Sequence, residues 1–309
     1  MKFIIFGAGA IGSLFGGLLS AHNEVLLVGR KEHMEAIEKN GLRIEGITSG
    51  IFHPKTVWNG ERYDMIILTT KSYDTRKALE EIMERFGRTP VLSLQNGLRN
   101  EKIIVEIMGE EYAIGGVTSH GAVFVEEGKI YHAGAGETII GEMKGEMSER
   151  IKNIARAFNQ CGIYTRISDK IEEEIWRKGV INASINSLTT LLGCKNGFLL
   201  KDKNARKLLE MVCRECISIA KKEGFDIEDA MEKTIEVADK TASNISSMLQ
   251  DMMKGKRTEV EEINGEFVGV AKKHGMEAKI NEFLMLAIKG MENVRHLGWP
   301  YAHESRRSP

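Results

Sequence analysis

The chain has 309 residues, of which 42% are hydrophobic and 28% charged, and its formal net charge is −1. This composition is typical of a soluble globular protein of about two domains. A charge so close to zero indicates neither nucleic acid nor an anionic membrane as a general partner.

The chain begins with "MKFIIFGAGAIGSLFGGLLSA", a basic residue followed by an apolar run and small residues. A secretory signal has a similar order of residues, but five glycines interrupt this run. It is also short for a membrane span. We therefore interpret it as a strand at residues 2–6, a glycine turn, and a helix to about residue 22.

Short apolar runs then alternate with helical patterns, which is typical of βαβ units and a parallel sheet. Strands are predicted at residues 24–29, 65–69, 91–94 and 113–117, with helices at 34–40 and 75–87. Residues 121–142 instead alternate polar and apolar positions between glycine turns, and we expect hairpins there at the edge of the sheet.

Helical periodicity replaces the strands after about residue 167, with breaks near residues 193–197, 224–226 and 274–275. The sequence therefore predicts an α/β Rossmann-type dinucleotide-binding domain at 1–167 and an all-α domain at 168–309.

The four cysteines fit a reducing cytoplasm, which is the location we expect. Cys213 and Cys216 have C-x-x-C spacing but lie in the middle of a predicted helix, whereas redox pairs usually sit at a helix N-terminus. No second ligand pair has the spacing for zinc. We interpret them as helical thiols and expect no metal site.

The first glycine turn has the spacing G-x-G-x-x-G, with Gly7, Gly9 and Gly12 placed between a strand and a helix. In this context Gly7 permits the tight turn, Gly9 lets the backbone approach a pyrophosphate, and Gly12 lets the helix pack closely on the strand. We expect residues 7–12, which also include Ala8, Ala10 and Ile11, to bind a dinucleotide at the helix N-terminus.

The end of the second strand indicates which dinucleotide is bound. NAD-specific sites usually have Asp or Glu there, but this chain has Gly29-Arg30-Lys31. Arg30 can pair with a 2′-phosphate, and Lys31 could supply a second cation. The sequence therefore predicts NADP(H), unless Arg30 is simply a solvated charge in a loop.

Polar residues follow the other predicted strands. Ligands bind outside the carboxyl ends of parallel strands, so Lys71 and Asn96 are candidates for contact with a nicotinamide or a substrate. His120 follows the strand at 113–117 and could act in acid–base chemistry, although a single histidine in a loop is more often structural or exposed.

A polar stripe runs along the first helix of the second domain. Lys178, Asn182 and Asn186 are each four residues apart in "KGVINASINS" and therefore share one face. Partial desolvation would lower the pKa of a lysine there, which would let it donate a proton near neutral pH. From spacing alone, a structural stripe satisfied by neighbouring groups is an equal alternative.

Five segments together resemble the ketopantoate reductase family over nearly the whole chain: "FGAGAIGSLFGGLL", "TTKSYDT", "SLQNGL", "WRKGVINASINSLTTL" and "SSMLQDMMKGKRTEVEEINGEFV". The last two are far more specific than the glycine loop. The resemblance implies a 6-phosphogluconate dehydrogenase-like fold and reduction of 2-dehydropantoate (ketopantoate) to (R)-pantoate with NADPH, on the route to pantothenate and coenzyme A. A homodimer is also expected, because helical second domains of this fold often dimerise.

The resemblance also implies roles for individual residues. Lys178 matches the family's catalytic general acid. Glu259 matches an acidic residue that binds the substrate hydroxyl or orients the lysine, and we also place it next to the cofactor. The substrate-binding positions fall on Asn96, Asn182, Asn186 and Ser247. Asn96 would lie between nicotinamide and substrate, and Lys71 on the cofactor side.

Two alternatives remain from the sequence. The chain could reduce another 2-keto acid or act as an opine-type dehydrogenase, or it could be a non-catalytic NADP-binding sensor. A sensor needs the glycine loop but has no need for a paired proton donor and carboxylate, so Lys178 and Glu259 favour catalysis.

Overall fold

The computed structural model describes residues 1–294, and its contacts divide the chain into two compact units. The first unit contains Met1–Gln95 and Arg99–Glu174, and the second contains Asn96–Leu98 and, among the described residues, 175–294. The end of the predicted helical domain, residues 295–309, lies outside the described residues.

The first unit is built on a seven-stranded sheet. Its strands, in spatial order, are β11 (Thr165–Ile167), β10 (Thr138–Glu142), β7 (Ala113–Thr118), β6 (Val91–Ser93), β5 (Met65–Leu68), β1 (Lys2–Phe6) and β2 (Glu24–Val28). Neighbouring strands are parallel except β10 and β7. The strand order reverses at β1, the point where dinucleotides bind in sheets of this type. The predicted Rossmann-type fold is confirmed.

Helices cover both faces of this sheet. They are α1 (Ala10–Leu19), α2 (Lys31–Asn40), α3 (Thr75–Phe86), α4 (Asn100–Met108) and α5 (Glu149–Gln160). Because side chains alternate along a strand, β1 contributes Phe3 and Ile5 to one core and Ile4 and Phe6 to the other. Burial on both faces explains why β1 reads as a continuous apolar run.

The prediction for residues 121–142 is partly wrong. β8 (Gly121–Glu126) and β9 (Lys129–Gly134) do form an antiparallel hairpin, but they belong to a separate four-stranded sheet. Its other strands are β3 (Leu42–Gly46) and β4 (Gly50–Phe52), and β3 pairs in parallel with β9. A pairing between strands so distant in sequence leaves no local pattern. Only β10 returns to the large sheet.

The second unit is helical, and the strands end at Ile167 as predicted. Its helices are α6 (Ile171–Leu192), which begins in the first unit, α7 (Phe198–Lys201), α8 (Lys203–Glu223), α9 (Ala230–Lys240), α10 (Ser247–Met253), α11 (Glu266–Lys273) and α12 (Lys279–Val294). The predicted breaks are confirmed. Gly193 and Gly224 directly follow α6 and α8 with positive φ, the conformation that commonly ends helices. None of the helices in residues 1–294 is both long and apolar enough to cross a bilayer.

Buried amides join three parts of the helical unit. Asn281 Nδ2 donates to Glu215 Oε2 at 2.7 Å, and Asn281 Oδ1 accepts from Asn264 Nδ2 at 2.9 Å. Asn264 Nδ2 also donates to the Ala183 carbonyl of α6 at 3.1 Å. Both asparagines are fully buried. This network therefore anchors the middle of α6.

Asn281→Ala should destabilise the protein by about 2–4 kcal/mol, because it removes the side-chain hydrogen bonds that the fully buried Asn281 amide makes to the Glu215 carboxylate and to Asn264. The unfolding temperature measured by circular dichroism should fall by about 5 °C or more. Asn204→Ala, at an exposed position in α8, is the matched control and should change it little. Equal unfolding temperatures for the two variants would contradict a stabilising network.

Candidate active site

The loop after β1 has the close approaches that a dinucleotide cradle requires. Gly7 has φ +104°, and a Cβ there would lie 2.6 Å from the Thr70 amide nitrogen. A Cβ on Gly12 would lie 2.4 Å from the Gly7 carbonyl oxygen. Neither position accepts a side chain without moving backbone atoms, so both glycines are required by the packing of α1 against β1 and β5.

Gly9 differs from these two glycines, because a Cβ there would meet no atom nearer than 3.9 Å. It is the N-cap residue of α1 and supplies no side-chain cap. The first turn of a helix has amides without intrahelical partners. The Gly9 amide donates to the Gly7 carbonyl at 2.6 Å, so the amides of Ala10 and Ile11 supply the partially positive surface. With the open space at Gly9, these residues fit a pyrophosphate.

Side chains at the ends of β5 and β6 hold this loop in place. Thr69 Oγ1 donates to the Gly7 carbonyl at 2.9 Å. Gln95 is buried, and its Nε2 donates to Thr70 Oγ1 at 3.0 Å and to Thr75 Oγ1 at 2.9 Å. The sequence did not indicate this bracing role for Gln95, because the residues it joins are 20 and 25 positions away.

Arg30 is the N-cap residue of α2, and Gly29 alone separates it from the end of β2 at Val28. Its side chain is 64% exposed, and its guanidinium lies 3.2 Å from Glu127 Oε1. The Arg30 Cζ atom also lies 5.2 Å from the centre of the Phe124 ring. Arg30 is thus at the position predicted from the sequence, with an anionic partner that the sequence did not reveal. Lys31 is more exposed and lies near Glu35.

Lys71 and His120 follow β5 and β7. Lys71 is half-buried and precedes a short 3₁₀ helix, Ser72–Asp74. His120 is buried, with its Nδ1 atom 3.2 Å from His132 Nε2 and its ring edge-on to Phe15. Burial, with a smaller effect from His132, lowers the pKa of His120 to about 4. Its imidazole is therefore neutral near pH 7, and its packing supports the structural interpretation.

The predicted polar stripe lies on α6. Lys178 and Asn182 are half-buried and Asn186 is buried. Asn182 Nδ2 donates to Asn96 Oδ1 at 3.4 Å, and Asn96 Nδ2 donates to Glu259 Oε2 at 3.4 Å. Both hydrogen bonds are long and therefore weak. Three of the predicted site residues, from distant parts of the chain, thus form one connected polar set within the helical unit.

Asn96 joins this set because the segment Asn96–Leu98 packs with the helical unit. A Cβ on Gly179 would lie 2.5 Å from Leu98 Cδ2, so Leu98 occupies the space beside that glycine on α6. Gly97 has φ +100°, which only glycine adopts readily. The glycine in "KGVIN" therefore has a packing role that places Asn96 next to Asn182.

Glu259 is 5% exposed and lies between the buried residues Thr258 and Val260. Its carbonyl accepts from the amide of Ile263 at 3.0 Å, and the next turn, Glu261–Gly265, is a π-helix. Such turns are rare and are frequent at functional sites. The pattern "TEVEEING" predicted the carboxylate but did not indicate the change of helix type.

Ser247 is exposed at the first position of α10. The preceding Ser246 is the buried residue: it caps α10 by accepting from the Leu249 amide, and it accepts from Thr189 Oγ1 at 2.7 Å. Ser246 thus ties α10 to α6, whereas Ser247 is accessible to a ligand. Substrate contact by Ser247 stays a prediction.

Cys213 and Cys216 are both fully buried in α8, and burial raises the pKa of each thiol. All four cysteines are free. Within residues 1–294, no group of three or more His, Cys, Asp or Glu side chains is arranged to hold a metal ion.

Comparison with known families matches both units. The profile described as "Ketopantoate reductase PanE/ApbA" matches residues 3–145, and "Ketopantoate reductase PanE/ApbA C terminal" matches residues 170–292. The chain is 40% identical over 299 residues to the 2-dehydropantoate 2-reductase of Pyrococcus horikoshii, covering 95% of this chain and 98% of that protein.

Two solved structures are similar over almost their whole length. The PanE/ApbA family ketopantoate reductase from Ralstonia eutropha JMP134 has a TM-score of 0.88 and 27% identity, covering 96% of this chain and 100% of that one. A D-mandelate dehydrogenase in ternary complex with NADH and anilino(oxo)acetate has a TM-score of 0.89 and 28% identity, covering 96% and 99%.

Proposed function

The chain belongs to the ketopantoate reductase family, and we propose on that basis that it reduces 2-dehydropantoate to (R)-pantoate with NADPH, in pantothenate and coenzyme A biosynthesis. The observation that carries the proposal is the connected set of Asn182, Asn96 and Glu259 on and beside α6, one turn from Lys178. A 2-keto acid with a hydroxyl group offers a carboxylate, a carbonyl and a hydroxyl, which such donors and acceptors can bind.

Reduction adds a hydride to the carbonyl carbon and a proton to the carbonyl oxygen. When bound, the nicotinamide supplies the hydride. Lys178 donates the proton to the oxygen as negative charge develops there, acting as general acid. Glu259 accepts a hydrogen bond from the substrate hydroxyl, and Asn96 orients its carboxylate. Asn182, Asn186 and Ser247 bind the substrate's carboxylate and hydroxyl.

The family uses nicotinamide cofactors, and the first unit has one feature that supports a dinucleotide and another that supports NADPH in particular. The loop at residues 7–12 fits the pyrophosphate, with Lys71 as a further cofactor-side cation at the end of β5. Arg30 follows β2 at the position where a 2′-phosphate binds. Glu259 completes the proposed cofactor contacts.

Arg30→Asp should weaken NADPH binding about 10- to 100-fold and NADH binding by at most about threefold. The variant loses an attraction to the 2′-phosphate and gains a repulsion, whereas NADH has no charge at that position. Dissociation constants from quenching of tryptophan fluorescence measure both effects. An equal loss of affinity for the two cofactors would contradict a contact between Arg30 and the 2′-phosphate.

The substrate is tested by following NADPH absorbance with ketopantoate, with phenylglyoxylate and with other 2-keto acids. The similarity to D-mandelate dehydrogenase makes reduction of an aromatic 2-keto acid with NADH the second candidate. The proposal expects the highest kcat/KM with ketopantoate and NADPH. A higher value for phenylglyoxylate would favour the second candidate, and tight cofactor binding without any turnover would favour a sensor.

We also propose a homodimer in the cytoplasm. Phe283 and Leu286 are three residues apart on α12, are 62% and 60% exposed, and share a face. Exposed large apolar side chains on one helix face are typical of a surface that a partner covers. Light scattering after gel filtration measures the assembly directly.

A further inference from the structure

The sequence contains no carboxylate at the end of β2, yet the structure brings one next to the Arg30 guanidinium from elsewhere in the first unit. Glu127 lies in the turn between β8 and β9, and its Oε1 atom is 3.2 Å from the Arg30 guanidinium. A carboxylate at this position of a dinucleotide site is the group that binds the 2′-hydroxyl of NAD and repels the 2′-phosphate of NADP. Here the arginine and the carboxylate occur together.

Buried hydrogen bonds hold the turn that carries Glu127. The Gly128 amide donates to His33 Nδ1 at 2.9 Å, and the Gly128 carbonyl accepts from the Arg43 amide at 2.9 Å. Gly128 has φ +78°, so the turn requires a glycine. Glu127 is therefore held near Arg30 by its own backbone and does not depend on the weak ion pair to stay there.

The same histidine connects this turn to the dinucleotide loop. Because Nδ1 accepts from Gly128, the ring proton of His33 is on Nε2, which donates to Ser13 Oγ at 2.9 Å. Ser13 Oγ in turn donates to the Ala8 carbonyl at 3.3 Å. His33 is fully buried, and this burial lowers the pKa of its imidazole despite the nearby Glu127. It is neutral near pH 7 and acts as a rigid link.

Arg30 and Glu127 therefore have opposite effects on the binding of the two cofactors. A 2′-phosphate would replace or share Glu127 on the guanidinium, and its charge of about −1.5 to −2 near pH 7 would face the carboxylate. NADH places a hydroxyl there instead, which can donate to the carboxylate. Arg30 thus favours NADPH, while Glu127 favours NADH.

We propose that Glu127 is a cofactor-selecting residue that reduces the discrimination between NADPH and NADH and lets the site accept both. The inference rests on the proposed function only in so far as the first unit binds a nicotinamide dinucleotide. It does not depend on which keto acid is reduced.

The test compares Glu127→Gln with Glu126→Gln in the full chain. Both variants remove one negative charge from the β8–β9 hairpin, but within residues 1–294 the Arg30 ion pair is made with Glu127. Dissociation constants for NADPH, NADH, 2′-AMP and 5′-AMP are measured by calorimetry at about pH 8, where His33 is neutral. The readout is the ratio of the NADH to the NADPH dissociation constant, which needs no turnover.

Glu127→Gln should raise that ratio about three- to tenfold, mostly by tighter NADPH binding, with the same trend for 2′-AMP over 5′-AMP. Glu126→Gln should change it by less than about twofold. The difference between the variants should shrink at high salt, because the pair is partly exposed. Equal ratios in the two variants, or equal tightening of both cofactors, would overturn the proposal. Wild-type protein that binds neither dinucleotide would instead overturn the proposed function.

Discussion

Lys178→Ala should lower kcat for ketopantoate reduction about 10²- to 10⁴-fold, the range found when a general acid is lost. The dissociation constant for NADPH should stay within about twofold of wild type, because Lys178 is assigned to the carbonyl oxygen and not to the cofactor. Steady-state kinetics with saturating NADPH, combined with fluorescence titration of the cofactor, measures both quantities.

Lys178→Arg is the matched control, since it keeps the positive charge of α6 while the guanidinium stays protonated throughout the accessible pH range. If proton donation is the role of Lys178, the arginine variant should be nearly as slow as the alanine variant. Activity close to wild type in Lys178→Arg would show that only the charge is needed. Near-normal turnover in Lys178→Ala would contradict the general-acid role altogether.

Gly9→Ala and Gly12→Ala should separate cofactor binding from stability. The Cβ in Gly9→Ala enters open space, so the unfolding temperature should stay within about 2 °C of wild type while NADPH binding weakens about 10- to 100-fold. The added methyl group keeps the pyrophosphate away from the amides of α1, and hydrogen bonds to a charged group contribute about 1.5–3 kcal/mol.

Gly12→Ala should lower both the stability of the protein and its affinity for NADPH. Its Cβ would lie 2.4 Å from the Gly7 carbonyl oxygen and 2.5 Å from Thr69 Oγ1, so α1 has to shift away from the loop. Such overpacking costs about 1–3 kcal/mol of stability. Thermal unfolding with and without NADPH distinguishes the two variants. A stable Gly12→Ala protein with normal NADPH binding would show that the loop does not hold the cofactor as proposed.

Local patterns were sufficient to predict much of the fold. Each predicted parallel strand, such as residues 65–69, is a short apolar run in the sequence. The structure has a strand at each of these places, and burial on both faces explains the apolar run. The helix ends near Gly193 and Gly224 followed from the conformational freedom of glycine. These features depend only on residues near one another in sequence.

Features that depend on distant pairing could not be predicted in this way. The short strands β3 and β4 form a sheet only because β9 pairs with β3 across more than 80 residues. The contact between Glu127 and Arg30 depends on that same sheet. The end of β2 by itself predicts NADPH, and nothing in the sequence near it indicates the carboxylate that the hairpin supplies.

The candidate site was likewise predicted only where it depends on residues near one another in sequence. Spacing on one helix predicted that Lys178, Asn182 and Asn186 share a face, and α6 contains all three. Periodicity alone could not indicate that Asn96 packs with the helical unit and connects Asn182 to Glu259. The roles of Glu259 and Ser247 came from the family resemblance, and they stay predictions.

We propose that this chain transfers a hydride from NADPH to ketopantoate. The most direct measurement supplies NADPH deuterated at both hydrogens of the nicotinamide C4 atom and analyses the product by chiral chromatography and mass spectrometry. We predict (R)-pantoate with a single deuterium at C2, and none in a reaction without the protein. Recovery of unchanged ketopantoate while another 2-keto acid is reduced under the same conditions would contradict the claim.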